Sequence, residues 1–175
     1  MVGVDDRAAA HTAVAHLIAQ GHSKIAVLGG PATSFPSRMR RLGAQDAMEQ
    51  AGLTFDDRLY GLSNYDFESA YHAMNSLLAR RAEFTALFAM SDVIAFGAIR
   101  ALVSAGFRVP QDVSVIGFDG ITMSRYCVPV MTTIVQPSEQ IALQSIELLI
   151  NQIEHGAPAQ TITPVSYTHL TLPTT

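Results

Sequence analysis

Short apolar runs alternate along this chain with longer stretches of helical period, and that alternation leaves few folds open. The strand candidates are "KIAVLGG" (24–30), "FTALFAM" (84–90) and "DVSVIGF" (112–118), with a weaker one in "DDRLYGL" (56–62). Continuous rather than alternating apolar runs fit strands covered on both faces. Helical patterns fill the intervals at 5–21, 38–53, 67–80, 91–106 and 137–156. Ala10, Val14, Leu17 and Ile18 share one face of the first, and Ala44, Ala47, Met48 and Ala51 one face of the second. Ser91-Asp92 is good N-cap chemistry, and Gly21, Gly52 and Gly106 are helix stops. Strand–helix alternation marks right-handed βαβ units on a parallel sheet. The expected fold class is therefore α/β, with a doubly wound parallel sheet.

Composition narrows the function. The 175 residues are 49% hydrophobic and 15% charged, which suits a globular protein of one domain or little more. The net charge of −4 argues against this stretch gripping nucleic-acid phosphates itself. Cys127 is the single cysteine, so no internal disulfide is possible. No run approaches the roughly 18 apolar residues of a membrane helix, and no secretory leader opens the sequence. CxxC and HExxH are absent, and His11 and His16 have the wrong spacing to share a helix face, so no metal or cofactor is expected. "GGPATSFPS" is neither GxGxxG nor a Walker loop, and no GxSxG nucleophile elbow is present.

One stretch raises a sharper question. In "VPQDVSVIGFDG" (109–120) an apolar strand stops at a bare carboxylate, Asp119. In open α/β sheets, ligands sit beyond the carboxyl ends of the strands. Asp119 lies at such an end, as do Gly29 and Gly30, Asn64 and Tyr65, and Ser91 and Asp92; Arg40, at the start of its helix, could come near the same edge. Carboxylates accept from hydroxyls, arginine donates to ring oxygens or carbonyls, and tyrosine offers a flat apolar face. The set suits a polyhydroxylated or purine-like ligand. Each residue also has an ordinary role: Asp119 in an Asx-turn, Arg40 on a solvated "RMRR" face, Asp92 as a helix cap, Tyr65 in packing.

Several stretches resemble the effector-binding, periplasmic-binding-protein-like core of LacI/GalR-family transcriptional regulators. They are "VDDRAAAHTAVAHLIAQGHSKIAVLGGP" (4–31), "SRMRRLGAQDAMEQAGL" (37–53), "ALFAMSDVIAFGAIRAL" (86–102), and above all "GFRVPQDVSVIGFDG" (106–120) followed by "PVMTTIVQP" (129–137). The resemblance implies roles at matching positions. Arg40 and Asp119 stand where the family's arginine and acidic effector ligands stand. Ser91 replaces an Asn ligand found in some members, with Asp92 retained beside it. Tyr65 falls where an aromatic stacks on the effector, and Gln136 at the crossover between subdomains. Phe96 falls where members form a dimer interface, though it could equally be core. Replacing Asp119 or Arg40 with alanine is then expected to weaken effector binding without unfolding the protein.

The resemblance also implies an organisation. Residues 1–4 would end an N-terminal subdomain, 5–133 would form the C-terminal effector-binding subdomain, 134–156 would cross back to the first, and 157–165 would be the final strand. The segment 166–175, without charge, caps or helical period, resembles non-native tail sequence. The implied protein is a cytoplasmic, non-enzymatic homodimer that senses a small sugar or purine-like effector and contacts operator DNA only through an N-terminal headpiece not in this sequence. A periplasmic sugar-binding protein of a transporter and a sugar- or nucleotide-metabolising enzyme remain the alternatives.

Overall fold

Sequence periodicity and capping chemistry place most of the elements where they stand in the computed structural model, which describes residues 4–128, 130–155 and 169–171. Asp5 opens α1 (Asp6–Ala19) by accepting from the Ala8 amide at 2.9 Å. The wholly buried β1 (Ile25–Gly29) follows. Ser34 caps α2 (Phe35–Gln50), and Pro36 sits in its first turn, where a missing N–H costs nothing. This start precedes the expected one at 38, so Arg40 lies in the second turn of the helix, not at its beginning. A 3₁₀ turn (Asp57–Leu59) leads into the short β2 (Tyr60–Leu62). Then come α3 (Phe67–Ala79), β3 (Ala86–Ala89), α4 (Asp92–Ser104) and β4 (Ser114–Asp119). The last described elements are β5 (Thr132–Val135), α5 (Ser138–His155) and β6 (His169–Thr171).

The strands form one sheet in the order β2-β1-β3-β4-β5-β6. The first five run parallel, and β6 joins antiparallel through Ile134↔Leu170. The connection β1–α2–β2 moves one way along the sheet, whereas β2–α3–β3 and β3–α4–β4 move the other. Right-handed crossovers therefore put α2 on one face and α3 and α4 on the opposite face. The helices pair accordingly, α1 with α2 and α3 with α4. Leu28, Leu87, Phe88, Ile116 and Phe118 are fully buried between the two layers. The doubly wound parallel sheet expected from the sequence is thus the fold. Its strand order reverses between β1 and β3, which creates a crevice at their carboxyl ends.

One segment differs from the expectation. The residues expected as a final strand, 157–165, lie outside the described residues, while His169–Thr171, from the segment set aside as tail, pairs with β5. β5 otherwise presents an open edge of unsatisfied backbone groups, which any extended segment can satisfy. Among the described residues α5 packs closely on no other element. Its Leu143, Ile146, Ile150 and Ile153 form a stripe at helical spacing, and all four are exposed. Among the described residues no helix is long and apolar enough to cross a membrane.

Candidate functional site

At the crevice the backbone itself is unusual. Asp119 ends β4 with φ at +117°, a region costly for any residue with a side chain. Gly120 follows at φ +73°, and a Cβ there would come within 2.8 Å of the Val135 backbone. This sharp turn aims the Asp119 carboxylate across the sheet edge, where Gln136 Nε2 donates to its Oδ1 at 2.5 Å. The same two residues are joined through their backbones, Gln136 N donating to Asp119 O at 3.0 Å. The start of the crossover is therefore fastened to the end of β4.

Arg40 reaches this point from α2. Its Nε donates to Asp6 Oδ1 at 2.7 Å, its Nη1 donates to the Met90 carbonyl, and Nη1 lies 3.7 Å from Asp119 Oδ1. Its guanidinium carbon stands 3.6 Å from the centroid of the Phe118 ring, a desolvated cation–π contact. Arg40 is 6% exposed and Asp6 8%, which makes Arg40 the buried cation among the described residues. Asp119 keeps 28% of its side chain open. Burial raises the Asp119 carboxyl above its ordinary value, while Arg40 and Gln136 pull it down.

The remaining expected residues divide into two groups. Tyr65, at φ +61°, lays its ring over Gly30 so closely that a Cβ on Gly30 would collide with it. Its hydroxyl is enclosed and, among the described residues, has no hydrogen-bond partner. Ser91 and Asp92 lie deeper. Ser91 Oγ accepts from the Ile94 amide at 3.1 Å, which uses it as the α4 cap and leaves its proton free to donate. Asp92 is fully buried: Oδ1 accepts from Thr133 Oγ1 at 2.5 Å and Oδ2 from the Ile121 amide at 2.8 Å. Gly117 leaves the space its carboxylate occupies. Burial lifts the Asp92 carboxyl to about 6, against the hydrogen bonds from Thr133 and Ile121. Both of its oxygens are committed to the protein, so Asp92 braces the loop after β4 against β5.

The structure thus brings Arg40, Asp119 and Gln136 into one cluster, with Tyr65 over the end of β1, two strands from β4. Sequence reasoning missed Asp6, whose placement in "VDDRAAA" signalled only a helix start, and Thr133, one more threonine in a β-rich run. The burial of Arg40 rules out the solvated "RMRR" face as its role, and its removal would strand Asp6. Phe96, half-buried on α4, lines a different hollow of about 320 Å³ with Phe67, Ile99, Val103 and Val128. Val128 there is 97% exposed and nearby Tyr126 76%, an apolar patch that the sequence had not singled out. A further cavity of about 280 Å³ opens at the amino ends of β4 and β5, beside His22, at the opposite end of the sheet.

Comparison with known proteins follows the same lines. Residues 14–171 match the family described as periplasmic binding protein-like domain. The chain is 40% identical over 145 residues to the HTH-type transcriptional repressor PurR of Haemophilus influenzae, covering 83% of this chain and 43% of the repressor. It is 36% identical over 141 residues to the ribose operon repressor of Escherichia coli K12, covering 81% of this chain and 43% of that protein. Among solved structures, the complex of the transcriptional regulator CelR with cellobiose superimposes with a TM-score of 0.90 at 31% identity, covering 98% of this chain and 52% of that one. The chain therefore spans less than half the length of these two repressors.

Proposed function

The chain belongs to the periplasmic binding protein-like domain family, and on that premise we propose that it is the effector-sensing part of a LacI/GalR-type transcriptional regulator. Its role is binding, not turnover. A sugar or purine-like effector docks at the carboxyl ends of the strands, against Arg40, Tyr65, Asp119 and Gln136, with Ser91 within the same wall and Asp92 bracing it. The observation that carries this reading is the meeting of Asp119, Arg40 and Gln136 at the carboxyl ends of β4 and β5, on the same sheet edge as the topological switch. The strain at Asp119 supports it, since such geometry persists where function demands it.

The mechanism follows from what Asp119 is tied to. Gln136 lies near the start of the segment 134–156, which runs into α5 and the bare apolar stripe described above. In our reading that stripe seats on a second subdomain, and the effector lies in the cleft between the two. An effector that replaces or strengthens the Asp119–Gln136 contact in one closure state shifts the equilibrium toward that state by its difference in affinity. The apolar patch around Phe96, Val128 and Tyr126 pairs with its counterpart in a homodimer, and operator DNA is contacted elsewhere in a longer, cytoplasmic protein. Calorimetry of the full-length protein with a sugar and purine panel tests the reading. Asp119→Asn should lower effector affinity at least tenfold with little change in thermal midpoint, and unchanged affinity would overturn the assignment.

A further inference from the structure

We propose that the effector of this site is uncharged, a free polyhydroxylated compound or neutral base and not its phosphate ester. The inference rests on the effector-site reading above and narrows its ligand class. Phosphate recognition by arginine uses paired N–H donors aimed at two oxygens. Arg40 cannot offer such a pair intact: Nε is bound to Asp6 at 2.7 Å, and Nη1 is bound to the Met90 carbonyl and faces Asp119. A paired grip on phosphate would have to displace Asp6 on the Nε side or the Met90 carbonyl on the Nη1 side, and either leaves a buried acceptor unsatisfied.

The surrounding charge points the same way. Against Arg40, the one buried cation among the described residues, stand Asp6, Asp119 and, one layer behind, Asp92. The positive helix ends at this edge are already answered by resident acids: Asp5 and Asp6 at α1, Asp66 and Glu68 at α3, and Asp92 at α4. Only α2 has no acid in its first turn, and Arg38 there is exposed and donates to the Thr33 carbonyl. An incoming dianion would therefore meet like charge on several sides, in a setting partly withdrawn from solvent. A hydroxyl group meets the opposite situation. The open part of Asp119 accepts from it.

The test is calorimetry of the full-length protein with matched pairs: ribose and ribose 5-phosphate, glucose and glucose 6-phosphate, cellobiose and its 6-phosphate, inosine and inosine 5′-monophosphate. We expect a neutral member to bind and its phosphorylated partner to bind at least 30-fold more weakly. Asp119→Asn should narrow that ratio at least threefold, because it removes repulsion for one ligand and an acceptor for the other. A phosphate ester that binds as tightly as its neutral parent overturns the inference while leaving the effector site standing. Binding by no member of the panel removes the effector-site reading itself, and the inference with it.

Discussion

Replacing Arg40 with leucine should be among the most damaging single changes in this chain, and its partner Asp6 should explain why. Both side chains are almost wholly enclosed, 7% and 10% exposed, and their oxygen and nitrogen lie 2.7 Å apart. Removing one member of a buried pair leaves an uncompensated charge, at a cost of about 3–5 kcal/mol. Loss of the Phe118 contact adds to this. That is a large share of the roughly 5–15 kcal/mol that holds a domain folded. The companion change Asp6→Leu removes the stranded carboxylate, so the double variant should be more stable than Arg40→Leu alone, even though α1 loses an acid from its first turn. Urea unfolding of the wild type, both single variants and the double variant gives the four stabilities, with equal slopes checking two-state behaviour. Strictly additive effects, or a loss below about 1 kcal/mol in Arg40→Leu, would refute the claim that this pair is a buried, mutually dependent element.

Other outcomes follow from the same geometry. Asp92 has a folded-state pKa of about 6 against an ordinary 3.8, so its contribution to stability falls as pH rises from about 4 to 6. Asp92→Asn can keep the Ile121 contact and donate to Thr133, and it should gain about 1 kcal/mol on the wild type between pH 5 and pH 7 in urea titrations; a constant difference across that range would contradict the buried, charged carboxylate. Gly30→Ala forces the Tyr65 ring aside and should lower effector affinity at least tenfold while moving the thermal midpoint by only about 2–4 °C; unchanged affinity would remove Tyr65 from the site. Val128→Asp places a charge on the exposed apolar patch and should convert a dimer to monomers in sedimentation equilibrium, whereas an unaltered dimer would place the interface elsewhere.

Much of this was legible in the residues because the signals are local. Apolar runs of Val, Ile and Ala gave β1, β3 and β4 to within two residues, and Asp5 and Ser91 mark helix starts that the structure keeps. The convergence of Asp119 and Arg40 could be anticipated because topology fixes which strand ends share an edge. What stayed hidden depends on distance through space. Asp6 and Arg40 are separated by 34 residues, and nothing in either neighbourhood announces the other. The depth of Asp92 was equally invisible, since a helix cap and a buried brace share the same Ser-Asp dipeptide. The α2 start was misplaced because Ser34 and Pro36 read as loop residues until the cap on Ser37 is seen.

The most direct test of the central claim is to locate the bound effector by backbone chemical-shift mapping of the full-length protein, using the tightest-binding member of the panel. The account predicts shifts concentrated at Gly30, Tyr65, Ser91, Asp119 and Gln136, the carboxyl ends of the strands. Shifts centred instead on His22, Ser114 and Met131, around the cavity at the opposite end of the sheet, would contradict it.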